Sequence, residues 1–220
     1  MPTIWLMRHG KAGELLGDYD RLSQIGFAQA RHTGAQFRHL APLTRLLSGS
    51  MRRQRETVQA FSETFGAVPE HQIDARWNEF DHVSVIQSAL AAGIHPPKER
   101  SHDGFSSFFG QAMNRWASGD HSADYPEPYA AFQARAEAAL THLAGSLESG
   151  QTALVATSGG VISACCRLLL GISPAEAFQL NTVLVNGGMT RILVGRGRMT
   201  LATLNMDLHL QTEDGLYTYA

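Results

Sequence analysis

The sequence predicts an α/β fold: a mostly parallel central sheet with helices on both faces and an antiparallel hairpin at one edge. Three observations carry this. Short apolar runs of strand length alternate with helical stretches along the chain. Two of those runs, Thr3–Met7 and Ala153–Thr157, are apolar throughout, as strands covered on both faces are. Late in the chain, two strand-like segments flank a Gly-Arg-Gly turn.

Taken in order, Thr3–Met7 opens the chain as a buried strand. After a polar, glycine-containing loop, Ser23 is placed to cap a helix running to about Leu40, with Phe27, Ala30, Gly34 and Phe37 on its packed stripe. Arg45–Ser48 reads as a strand, and Arg53–Phe65 as a helix that buries Val58, Phe61 and Phe65. From Asp81 to Pro128 the pattern weakens, interrupted by glycines and prolines from Gly93 onward. This stretch reads as a lid-like insertion of short helices and loops at about 81–128, within one domain spanning 1–220. A long helix follows, with Phe132, Ala136, Leu140, Leu143 and Leu147 on one stripe and Gly150 marking its end. The strand Ala153–Thr157 turns through Ser158-Gly159-Gly160 into an apolar helix, Val161–Leu170. Ser173-Pro174-Ala175-Glu176 starts another helix with a capping box and proline at the first helical position. Met189–Val194 and Met199–Asn205 form the hairpin around Gly195-Arg196-Gly197.

Composition excludes several classes of function. The 220 residues, 44% apolar and 17% charged, describe an ordinary globular chain. A formal net charge of −2 argues against broad binding to nucleic acid or an anionic membrane. No apolar run approaches bilayer length, and the opening residues lack a signal-peptide pattern, so a cytoplasmic location is expected. The only cysteines, Cys165 and Cys166, are adjacent, which rules out a disulfide framework and reads as two core residues. No metal is expected, since the histidines show no HExxH-like spacing, and no cofactor is implied. Nothing assigns an oligomeric state.

In open α/β sheets, ligands sit outside the carboxyl ends of the strands. That rule selects the loops after Met7, Ser48 and Thr157. The first begins Arg8-His9-Gly10. A neutral imidazole can attack phosphorus, and a neighbouring arginine can hold phosphate oxygens with two donors at once. As a bare tripeptide it reads equally well as a surface strand end with incidental polar residues. The second loop opens a helix with Arg52, Arg53 and Arg55. These are either a solvated helix face or the mark of an anion, because cations at a helix N-terminus oppose its dipole. The third loop, Ser158-Gly159-Gly160, is at least a tight strand-to-helix turn.

Together these segments carry a resemblance. Leu6-Met7-Arg8-His9-Gly10, the helix start Leu22-Ser23-Gln24-Ile25-Gly26-Phe27-Ala28-Gln29-Ala30, Ser50–Thr57, Trp77-Asn78-Glu79-Phe80 and Thr157–Ile162 occur in order over nearly the whole chain. They resemble the motifs of the histidine phosphatase, or phosphoglycerate mutase-like, superfamily. The resemblance implies His9 as nucleophile through a phosphohistidine, Arg8 and Arg53 as a phosphate clamp with Ser158 and Gly159, and Glu79 as general acid. Outside that resemblance, Glu79 reads as a surface carboxylate facing Arg76. The chain departs from the family at Ser158, where a second histidine normally precedes Gly-Gly; it is similar here to a subgroup with Ser-Gly-Gly. A hydroxyl still donates a hydrogen bond but brings no charge. His82, three residues past Glu79, is a candidate replacement donor; the alternative is that it caps or packs the start of the insertion. The expected partner is a small phosphorylated substrate or inorganic phosphate. The expected activity is phosphomonoester hydrolysis; the alternatives are a catalytically impaired phosphate-ester binder and a phosphoglycerate mutase.

Overall fold

β1 (Thr3–Arg8) is buried at every position after its first, and β4 (Thr152–Thr157) at all of them. In this computed structural model, which describes residues 1–13, 19–39, 42–97, 102–195 and 197–219, those two strands are the middle of a sheet. With β2 (Arg45–Ser48), β3 (His71–Ile73), β5 (Met189–Gly195) and β6 (Arg198–Met206), the order is β3-β2-β4-β1-β5-β6. The first four strands in that order run parallel; β5 runs antiparallel to β1 and to β6. The parallel sheet with an antiparallel edge hairpin is the arrangement the alternating pattern predicts. Arg196, in the hairpin turn, lies outside the described residues.

Not every element was legible. β3 carries no apolar signal, because Gln72 and Ile73 are exposed and His71 is half-buried at the sheet edge. Helices α1 (Gln24–Phe37), α2 (Arg52–Phe65), α3 (His82–Ala91), α4 (His102–Ser118), α5 (Tyr129–Ser146), α6 (Gly159–Leu170), α7 (Pro174–Val183) and α8 (Leu208–Gln211) complete the description. Ser23 caps α1 as expected, its Oγ accepting from the Gly26 N–H at 3.1 Å. α1 ends at Phe37, short of the expected Leu40, which lies outside the described residues. The capping box of Ser173 and Glu176 is present on α7, with Pro174 at its start.

The chain forms two compact units, Met1–Glu79 with Ala136–Ala220, and Phe80–Arg135. The second unit is built around aromatic rings: Phe80, Trp116 and Phe132 lie with centroids 4.9, 5.5 and 5.6 Å apart. Here the expectation of short helices is corrected. Gly104 and Gly110, which break the sequence pattern, lie inside the 17-residue α4. Burial of Phe108, Ala112, Met113 and Trp116 along one side outweighs the roughly 1 kcal/mol that each helical glycine costs relative to alanine.

In the first unit, Trp5, Met7, Phe37, Leu46, Phe61, Leu154 and Met189 form a continuous core between the sheet and the pair α1–α2. The two helices cross closely because Gly34 has no side chain. A Cβ there would stand 2.2 Å from the Phe61 carbonyl oxygen and 2.5 Å from Thr64 Oγ1. Gly34→Ala is therefore expected to destabilise the protein by about 1–3 kcal/mol despite alanine's better helix propensity. Chemical denaturation measures this; an unchanged or raised midpoint would show that the crossing can relax.

Candidate active site

The strand register brings the three selected loops together. Arg8 stands opposite Thr157 across the β1–β4 pair, and Ser48 opposite Ala156 across β2–β4, so all three strands end side by side. The His9 N–H donates to the Thr157 carbonyl at 2.8 Å, which fixes the first loop against the third. The Gly10 N–H donates to Thr57 Oγ1 at 3.1 Å, and that hydroxyl donates to the Arg53 carbonyl at 2.7 Å, which fixes the first against the second. Gly10 also packs on Gly26 at the start of α1, where a Cβ on Gly10 would lie 2.2 Å from the Gly26 carbonyl oxygen.

Within this frame His9 is 5% exposed, Arg8 5% and Arg53 4%. His9 Nδ1 lies 2.8 Å from the Gly10 carbonyl oxygen. A carbonyl only accepts, so this contact puts the proton on Nδ1 and leaves a lone pair on Nε2. Arg53 Nε–H donates to that Nε2 at 3.2 Å. Arg53 Nη1 pairs with Asp20 at 2.8 Å, and the Tyr19 ring lies 5.4 Å from the guanidinium carbon. Arg8 Nη1 donates to the Leu184 carbonyl, while its buried Nε has no partner among the described residues.

Ser158 is fully buried at the start of α6, but its hydroxyl does not cap the helix. It accepts instead from Gln54 Nε2 at 2.9 Å. The amide that a cap would have met, Gly160 N–H, donates to Glu79 Oε2 at 3.0 Å. Glu79 is delivered by a short 3₁₀ turn, Ala75–Trp77. The Trp77 carbonyl accepts from both Thr157 Oγ1 at 2.7 Å and Gln54 Nε2 at 3.1 Å. A Cβ on Gly159 would lie 2.1 Å from Asn181 Oδ1, so any larger residue there requires the Asn181 side chain to move.

Arg8, His9, Arg53, Glu79, Ser158 and Gly159 thus belong to one constellation in the first unit. His82 belongs to the second, where it opens α3 behind the N-cap Asp81. Arg76, which sequence offers as a partner for Glu79, pairs with Asp74 at 2.7 Å. Cys165 and Cys166 are fully buried in α6, and burial pushes both thiols up, Cys166 to about 12, which keeps them protonated.

Several residues of the site escape sequence reasoning. Gln54 and Thr57 stand inside the arginine motif, yet only their complete burial shows that they bond inward. Asn186 Nδ2 donates to the His9 carbonyl at 3.3 Å, and Thr218 Oγ1 donates in turn to Asn186 Oδ1 at 3.1 Å. Gln29 accepts from Lys11 N–H at 2.8 Å and donates to the Leu216 carbonyl at 2.7 Å. An isolated amide in a sequence gives no sign of such partners. Asp20 sits in a polar loop with no distinguishing pattern.

The electrostatics follow from burial. Burial foremost, then the charges of Arg53 and Arg8, hold the His9 imidazole well below its ordinary value near 6.5, against the opposing Gly10 carbonyl. The same burial lowers Arg8, a shift that Glu79 opposes. Among the described residues, no group of three or more His, Cys, Asp or Glu side chains is placed to hold a metal ion. Among them, too, no helix is long and apolar enough to cross a membrane.

A parallel sheet whose strand ends gather a neutral imidazole between two buried guanidinium groups defines a particular class of α/β protein. The chain belongs to the histidine phosphatase superfamily (branch 1), whose sequence profile matches residues 4–207. No curated protein sequence matches it. Solved structures do. One is a mutant phosphoserine phosphatase from Entamoeba histolytica in complex with phosphoserine, 19% identical over 96% of this chain and 100% of that one, with a TM-score of 0.69. A putative α-ribazole-5'-P phosphatase from Escherichia coli is 19% identical over 93% and 97%, TM-score 0.67. A phosphoglycerate mutase from Bacillus anthracis is 16% identical over 94% and 94%, TM-score 0.67. At these identities the likeness is one of fold.

The His9 environment makes a prediction about protons. A folded-state pKa depressed below the unfolded one means that the unfolded chain takes up a proton as pH falls through 6.5 while folded His9 does not. Its contribution to stability is therefore complete above that pH and is lost below it. In a ¹⁵N-imidazole NMR titration, His9 should be the Nδ1–H tautomer at neutral pH and remain neutral well below pH 6.5. An imidazole that titrates at 6.5 or above would contradict the assigned environment.

Proposed function

We propose that the protein is a phosphomonoester hydrolase that works through a phosphohistidine on His9. The observation that carries this reading is the pair of contacts made by the His9 ring nitrogens. The Nδ1 proton is engaged by Gly10, and the Nε2 lone pair lies beside the guanidinium of Arg53. Family membership points the same way. The names of the similar structures include hydrolases and a mutase that act on small phosphate esters, in keeping with a small phosphorylated substrate.

In this reading Nε2 attacks phosphorus, a P–N bond forms, and the P–O bond to the substrate breaks. Glu79 gives its proton to the leaving oxygen. Water then attacks phosphorus, Glu79 takes the proton from that water, and the P–N bond breaks to release inorganic phosphate and neutral His9. Arg8 and Arg53 hold the non-bridging oxygens, with the Ser158 hydroxyl and the Gly159 N–H at the start of α6 as further donors. His82 has no step in this mechanism.

One observation favours a second reading, a phosphate-ester binder with impaired turnover. The buried Ser158 brings no charge to the transferring group, and one such donor is typically worth about 10²–10³ in rate. A single experiment separates the readings. Wild type mixed rapidly with an aryl phosphate should release a burst of the phenol and then turn over, with an acid-labile, base-stable phosphoenzyme in between. A burst without turnover supports the impaired binder. Formation of a second phosphoglycerate isomer in place of free phosphate supports a mutase. His9→Ala should form no phosphoenzyme while staying folded; an unchanged burst would end the proposal. Arg53→Lys should lose about 10²-fold in kcat/KM, because an ammonium cannot reproduce the planar fork.

A further inference from the structure

The sequence raises a question at α2, where Arg52 and Arg53 open a helix whose dipole they oppose. The anion that resolves it is in the chain. Asp20 Oδ2 accepts from the Arg52 N–H at 2.9 Å, and Asp20 Oδ1 accepts from Arg53 Nη1 at 2.8 Å. The N-cap residue, Met51, supplies no side-chain acceptor of its own. The segment that carries Asp20 is in turn fixed to α2, because the Leu22 N–H donates to Glu56 Oε2 at 2.8 Å while Glu56 Oε1 accepts from Arg52 Nε at 2.7 Å.

This arrangement decides which edge of Arg53 is free. In a guanidinium, Nη2 shares an edge with Nε, and Nη1 lies at the far end. Arg53 Nε faces His9 Nε2, Nη1 is taken by Asp20, and the Tyr19 ring covers the plane. Nη2, without a hydrogen bond among the described residues, is therefore left beside the nitrogen that would attack phosphorus. We infer that Asp20 is a positioning residue: it turns the Arg53 fork so that Nη2 meets the transferring phosphoryl oxygens, and it acts on the reaction only through Arg53.

The inference rests on the phosphohistidine reading, but its test does not require turnover. Orthovanadate mimics the five-coordinate transition state, whereas inorganic phosphate mimics the ground state. Binding of both to the full-length protein is measured by calorimetry, for wild type and for Asp20→Asn, which keeps the shape and one acceptor but removes the charge. Because Asp20 has 46% of its side chain exposed, the variant should fold, which the thermal midpoint checks. The ratio of the phosphate Kd to the vanadate Kd should shrink about 10–100-fold, the usual loss when a supporting partner of a site residue is removed. Asp20→Glu should recover part of it. If both anions bind more tightly and the ratio holds, Asp20 is a competitor that occupies the clamp, and the inference fails. If nothing changes, Asp20 is a bystander ion pair, and the inference fails equally. Loss of vanadate preference in Asp20→Asn, with no phosphoenzyme in wild type, would leave the positioning intact and overturn only the hydrolase reading.

Discussion

The parallel pairing of β1 with β4 is the constraint on which the rest of this molecule depends. Both strands are buried, so a slip of one residue would turn every core side chain to the wrong face, and the register is strongly specified. That register alone sets Arg8 opposite Thr157 and lets the His9 N–H reach the Thr157 carbonyl. Segments separated by about two-thirds of the chain become neighbours at the carboxyl ends of the central strands, and β2 joins them through its own pairing with β4. The position of the site thus follows from core packing.

Charge is the second constraint. Arg8 and Arg53 bury two like charges, and both disfavour the protonated form of His9. Left alone, each would be an uncompensated buried ion, a state costing several kcal/mol. Glu79 offsets Arg8 and Asp20 offsets Arg53, both from positions that remain partly exposed. The result is an imidazole held uncharged, with the lone pair of one nitrogen left unprotonated.

How much of this was legible in the sequence depended on the physical origin of each feature. The buried strands, the caps of α1 and α7 and the loops after Met7, Ser48 and Thr157 all follow from local pattern, and the structure places them as expected. β3 was invisible because an edge strand need not be apolar. α4 was misread because a single aromatic stripe overrode two glycines. In the site, strand-end position singles out the arginines and His9, but chemistry alone leaves them open to a bland reading, and only the resemblance to the superfamily gives them roles. Gln54, Thr57, Asn186 and Asp20 are not singled out, since their importance lies in what they touch, and touching is a property of the fold. The absence of a histidine at 158 was legible; what Ser158 does instead was not.

Ser158 and Gln54 limit how this site can change. Ser158 has no exposed surface, and its oxygen is the acceptor for an amide nitrogen of Gln54 that also supports the carbonyl of Trp77. A side chain larger than serine at this fully buried position would have to displace the Gln54 amide bonded to it. Positions 54 and 158 are therefore coupled through one hydrogen bond, and a change at either alters the packing of the other.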